Sequence, residues 1–160
     1  MVHVDSLLFK DERSRTIMKV AVIYESTRGR TKAMAEAICE GVTAEGGTCD
    51  LIEAKNFTGT EGYCAIAVGS STRMKRVLPT VKRLLADGDG TLPQIDGLPA
   101  GAFGSYGWSG EAPDEIASRL AAKGAVLVID TPIKAKDYPG EASLAECRNM
   151  GAELVRRCKK

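Results

Sequence analysis

With 160 residues, 44% of them hydrophobic and 27% charged, the chain has the composition of one water-soluble globular domain. Its net charge is +1 and its lone histidine, His3, excludes a histidine-rich metal centre, while no apolar run approaches the ~18 residues of a membrane-spanning helix. Five cysteines (Cys39, Cys49, Cys64, Cys147 and Cys158), odd in number and without C-x-x-C spacing, argue against a disulfide framework and against a zinc or iron–sulfur site.

Residues 1–17 read as an N-terminal extension, because Met18-Lys19-Val20 is a natural domain start. Either they are an added arm, docked through Leu7-Leu8-Phe9 or solvated, or translation begins at Met18. Met1 to Arg13 is too charged for a secretory signal, so the expected location is cytoplasmic. Lys19 to Tyr24 is an uninterrupted apolar run, the pattern of a central buried strand. From Thr31 to Glu45, Met34, Ile38 and Val42 line one face of a helix that Gly46-Gly47 stops. Thr48 to Glu53 is the second strand.

Only Ala54 to Gly62 separates it from the third, at Cys64 to Gly69, whereas a parallel crossover with a helix needs a dozen residues or more. The second helix is therefore expected to be short or missing, leaving a patch of sheet open to a partner subunit, a homodimer being the simplest case. Next come a helix from Leu78 to Ala86, a strand from Ala100 to Gly104, a helix from Ala112 to Ala122, a strand from Ala125 to Asp130 and a helix from Glu141 to Arg157. Such alternation predicts an α/β fold, a doubly wound five-stranded parallel sheet between two helical layers. Cys39 and Cys64 fall in apolar periodic segments and read as small core residues.

The turn after the first strand, Ser26-Thr27-Arg28-Gly29-Arg30-Thr31, is built to hold a phosphate. Amides at a helix N-terminus lack intrahelical partners and the helix dipole favours negative charge there. Ser26, Thr27 and Thr31 add short donors, and Gly29 lets the backbone bend without a Cβ in the way. The plain alternative is a strand-to-helix turn capped by Thr31.

Val22 to Thr31 reads aliphatic-aliphatic-Tyr-x-Ser-x-x-Gly-x-Thr, with Ala35 and Ile38 following at helical spacing, and this resembles the FMN phosphate loop of the flavodoxin family. Gly101 to Gly110 looks like the loop after the fourth strand in the C-terminal flavodoxin-like domain of flavodiiron (A-type) flavoproteins. Ala67 to Thr72 is similar to the loop after their third strand, although a proline and an aromatic or asparagine-containing turn are more usual there than Ser71 and Arg73-Met74.

The resemblance covers about Met18 to Arg157. It implies strand order 2-1-3-4-5, with residues 18–160 forming an FMN-binding domain whose ligand sits at the carboxyl ends of the strands. Ser26, Thr27, Gly29 and Thr31, flanked by Arg28 and Arg30, would hold the phosphate. The backbone from Ser70 and Ser71 through Thr72 and Arg73 would approach the reactive edge of the flavin, and Ser105-Tyr106-Gly107-Trp108-Ser109-Gly110 would complete the site, with Tyr106 or Trp108 stacked on the ring. A diiron centre needs a separate domain rich in histidine and carboxylate, which these residues do not supply.

Ordinary flavodoxins tend to be acidic; this chain places Arg28, Arg30 and Lys32 around the phosphate turn and Arg73, Lys75 and Arg76 after the third strand. A positive charge about 8 Å from a reduced, anionic flavin stabilises it by about 2 kcal/mol at an effective dielectric near 20. That predicts a less strongly reducing flavin and an acidic redox partner recruited by electrostatic steering. No Ser/His/Asp set, Cys/His set or metal cluster is legible, so a bound cofactor would carry the chemistry. The leading expectation is an electron carrier between redox proteins. Alternatives are an NAD(P)H-dependent quinone or flavin reductase and a non-catalytic module that has lost FMN. Nucleic acid is not an expected partner, because no aromatic residues interleave the basic ones.

Overall fold

Val20 to Tyr24 are all buried, which puts β1 (Lys19–Glu25) at the heart of the sheet, covered on both faces as its unbroken apolar run requires. The computed structural model describes residues 18–86 and 92–158; the expected extension, 1–17, lies outside them. From β1 the chain runs through α1 (Arg30–Ala44), β2 (Thr48–Glu53), a single helical turn at Ala54–Asn56, β3 (Ala65–Ser70), β4 (Thr72–Arg73), β5 (Arg76–Val77) and α2 (Pro79–Leu84). It finishes with β6 (Pro99–Tyr106), α3 (Glu111–Ala122), β7 (Val126–Leu127), β8 (Ile133–Lys136) and α4 (Glu141–Cys158).

The sheet is parallel, ordered β2-β1-β3-β6-β7, with β8 pairing β6 beyond β7. With β6 as the fourth strand, this is the predicted order. The three-residue turn after β2 stands where the sequence leaves no room for a second helix.

Two cores flank the sheet. On one face α1 and α4 bury Met34, Ile38, Met150 and Leu154 against Val20, Val22 and Phe103. On the other, α2 and α3 bury Val81, Leu84, Ile116 and Leu120 against Ile23, Ile66 and Val68.

Two elements differ from expectation. The fifth strand is shorter than Ala125 to Asp130 and resumes as β8: β7 pairs Pro99 and Ala100, and β8 pairs Phe103 to Tyr106. Pro132, which has no amide to donate, precedes β8 and marks the interruption. The β4–β5 hairpin was not legible at all. Its turn residues Met74 and Lys75 have φ of 51° and 65°, a conformation ordinarily signalled by Asn-Gly or Asp-Gly.

The cysteine reading is corrected. Cys39 on α1 is bonded to Cys49 on β2, and Cys64 at the mouth of β3 to Cys158 at the end of α4, each pair with Cα atoms 5.4 Å apart. Cys39 and Cys64 are half-buried bridge partners rather than core residues; only Cys147 is free, and it is buried. Spacing gave no warning because the second bridge joins residues 94 apart in sequence, brought together only by the crossover of α4.

Candidate functional site

Gly29 is the hinge of the first loop. It adopts φ +82° as the residue capping α1, a backbone region L-residues avoid, and its N–H donates to Ser26 Oγ at 3.0 Å. Among the described residues no side chain caps α1. Its leading amides are thus left for an anion at the positive end of a 15-residue helix dipole, with Arg28 and Arg30 on either side of Gly29.

Thr31 does not serve as that cap. Its hydroxyl is fully buried, 2.7 Å from Ser105 Oγ and 3.0 Å from Ser71 Oγ, and it accepts the Ser105 N–H at 3.3 Å. Three hydroxyls, from the first turn of α1, the residue after β3 and the end of β6, thus tie these elements together beneath the site. Close packing matters equally: a Cβ on Gly104 would lie 2.1 Å from the Ser70 carbonyl oxygen.

The loop after β3 is pinned at three points. Ser71 N–H donates to the Glu25 carbonyl at 3.2 Å. Buried Ser70 accepts from the Leu78 N–H at 2.9 Å and donates to the Ser71 carbonyl at 2.7 Å. Thr72 Oγ1 accepts the Ala112 N–H at 3.0 Å, fastening the hairpin to the first turn of α3.

These loops surround a cavity of about 550 Å³. Thr27, Arg28 and Arg30 line it from the first loop, Ser71, Thr72 and Arg73 from the second, and Ser105, Tyr106 and Gly107 from the third. Among the sequence-derived candidates, Ser26 and Gly29 face the other side of the phosphate loop, while Thr31 and Ser70 lie beneath the cavity. Ser109 and Gly110 lead into α3. Of the two aromatic residues, Tyr106 lines the cavity, whereas Trp108 stands 85% exposed on the rim with Lys75 Nζ 5.7 Å from its ring centre. Met74 and Tyr138 are exposed nearby in sequence to these loops.

Asp137 is the wall residue that sequence reasoning missed. Its backbone N–H donates to the Tyr106 carbonyl at 2.7 Å and its carboxylate sits 3.6 Å from Arg30. Nothing in its spacing marks it; only the fold brings the start of the loop after β8 against the end of β6. The basic cluster is also partly neutralised, since Arg76 pairs with Glu115 at 3.7 Å. Among the described residues Arg28, Arg73 and Lys75 have no carboxylate within ion-pair distance.

The donor set suits a phosphorylated ligand with an aromatic ring. Uncapped amides and arginines lie beside the cavity, the hydroxyl residues Thr27, Ser71, Thr72 and Ser105 line it, and Tyr106 adds an aromatic side chain.

A family model described as Flavodoxin matches residues 22–151. The anaerobic nitric oxide reductase flavorubredoxin of Aeromonas hydrophila is 36% identical over 152 residues, covering 87% of this chain and 29% of that protein. The rubredoxin-oxygen oxidoreductase of Megalodesulfovibrio gigas is 32% identical, over 88% of this chain and 36% of that protein. The chain thus spans about a third of the length of these curated relatives. Among solved structures, a flavodoxin from the domain Archaea superposes with a TM-score of 0.82 at 36% identity, over 89% of this chain and all of that one.

Proposed function

The chain belongs to the flavodoxin family, and on that premise we propose that it binds FMN in the cavity beside the Ser26–Thr31 loop and passes electrons between protein partners. The observation that carries this reading is the uncapped start of α1, with Gly29 at φ +82° and two arginines, opening on a cavity walled by the loops after β3 and β6. FMN, when bound, supplies the electron chemistry. The residues of this chain bind and orient it: the loop amides with Arg28 and Arg30 hold the phosphate, and the Ser71–Arg73 backbone and Tyr106 border the ring. Thr31 and Ser105 fix the distance between those walls.

The partner follows from charge. Arg28, Arg73 and Lys75 stay unneutralised around the opening, and Trp108 and Met74 stand exposed beside them, so the surface suits an acidic redox protein that buries an apolar centre within a charged rim. Two similar proteins carry rubredoxin in their names, and a rubredoxin-type carrier is the partner class we favour. Because Arg76 is paired with Glu115, the upward shift in flavin potential rests on Arg73 and Lys75 alone. The cytoplasmic reading is retained, with a condition set by the two disulfides: they persist there in organisms whose intracellular proteins are disulfide-rich.

Stopped-flow mixing of the reduced, FMN-loaded protein with oxidised rubredoxin tests the reading. Transfer should slow steeply with added salt, and Lys75→Glu should slow it about tenfold at low ionic strength. Steady NAD(P)H oxidation with a quinone, and no transfer to the protein acceptor, would establish a reductase instead.

A further inference from the structure

Asp137 brings a negative charge into a cavity whose other charged wall residues are all basic. It lines that cavity together with Arg28, Arg30 and Arg73, and its carboxylate lies 3.6 Å from Arg30 Nη1. Among the described residues no other cation comes within ion-pair distance of it. Arg30 is the first residue of α1, so a guanidinium at the uncapped helix start is already matched with an anion carried by the fold.

The backbone holds the carboxylate there. Asp137 has φ of +58°, and its N–H donates to the Tyr106 carbonyl at 2.7 Å, which anchors it to the end of β6. Asparagine tolerates the same left-handed conformation as well as aspartate does, so Asp137→Asn is chiefly a change of charge.

A carboxylate so placed has two opposing effects on an incoming phosphate. It restrains Arg30, which favours binding, and it competes with the phosphate for Arg30, which opposes binding. The restraint is the weaker effect, because the pair lies beyond hydrogen-bond reach with side chains 31% and 62% exposed. The competition is the stronger one, because a phosphate monoester carries nearly two negative charges to the same guanidinium.

We propose that Asp137 is an internal stand-in for the ligand's phosphate: it neutralises Arg30 in the unliganded protein, and a phosphate monoester binds by taking Arg30 from it. Asp137 thereby sets the affinity of the site, and it does so only for ligands that carry the phosphate. This rests on reading the Ser26–Thr31 loop as the phosphate site of FMN.

Fluorescence-quenching titrations of the full chain and of Asp137→Asn with FMN and with riboflavin, at low ionic strength and repeated in an Arg30→Gln background, test it. The expected result is FMN affinity about fivefold higher in Asp137→Asn, riboflavin affinity unchanged within about twofold, and the FMN gain reduced to less than about twofold once Arg30 is replaced. An unchanged or lower FMN affinity in Asp137→Asn, an equal gain for riboflavin, or a gain of the same size without Arg30 overturns the proposal, while FMN binding by the unaltered chain keeps the proposed function intact. If neither the unaltered chain nor Asp137→Asn binds FMN, both readings fall.

Discussion

The two ends of the sheet are held by opposite means. At the amino ends of the strands, two disulfides tie α1 to β2 and β3 to α4. At the carboxyl ends no covalent link is present among the described residues; the loops are joined by the Thr31–Ser71–Ser105 hydroxyls, the Thr72 link to α3 and the Arg30–Asp137 ion pair. Covalent restraint acts mainly on the unfolded chain, whereas hydroxyl contacts set distances within the native site. Stability and ligand geometry are therefore separable in this molecule, one concentrated at each end.

Reduction should give the largest effect. Reductant opens both bridges: in the chain-entropy account the one that closes a 94-residue separation contributes about 4.7 kcal/mol and the one that closes a 10-residue separation about 2.7, roughly 7 together. Urea unfolding with and without reductant should show that loss, while FMN affinity under native reducing conditions stays the same. An equal fall in both would break the separation. The oxidised protein, once denatured, should also yield a single titratable thiol among the described cysteines, Cys147.

Gly104→Ala probes the other end. The added methyl meets the Ser70 carbonyl, so the ends of β3 and β6 must part, at about 1–3 kcal/mol. Here FMN affinity should fall as well, by about tenfold or more. Thr31→Val follows: it strands the buried Ser105 hydroxyl and amide, costs about 1–3 kcal/mol by thermal unfolding, and loosens FMN without touching the disulfide end.

The smallest effect is alkaline. Burial pushes the Cys147 thiol up to about 12, and burial with the hydrogen bond to Asp50 pushes Tyr63 up to about 12. The native state then keeps protons that the unfolded chain releases, so stability is full below about pH 9 and declines as pH rises toward 12. Tyr63→Phe should flatten the part of that decline above about pH 10, at about 1 kcal/mol at neutral pH for the lost hydrogen bond.

The same contrast explains what the sequence made legible. The alternating strands and helices and the missing crossover helix follow from local periodicity and from nine residues between Ala54 and Gly62, the phosphate loop is a contiguous segment, and the strand order is what the family resemblance implies. Asp137, the hydroxyl cluster and both disulfides are products of tertiary convergence: Thr31 meets Ser105 across 74 positions, and Cys64 meets Cys158 across 94. The Met74-Lys75 turn escaped for a different reason, since neither residue type advertises positive φ.

Quenching of flavin fluorescence on adding FMN to the purified protein, with riboflavin as the control, tests the central claim most directly. The account predicts FMN binding at submicromolar concentration and riboflavin binding weaker by about a hundredfold, because the phosphate is the group that α1 and its arginines hold. No quenching by about 100 μM FMN would contradict it and leave a flavodoxin-like fold whose loop has outlived its ligand.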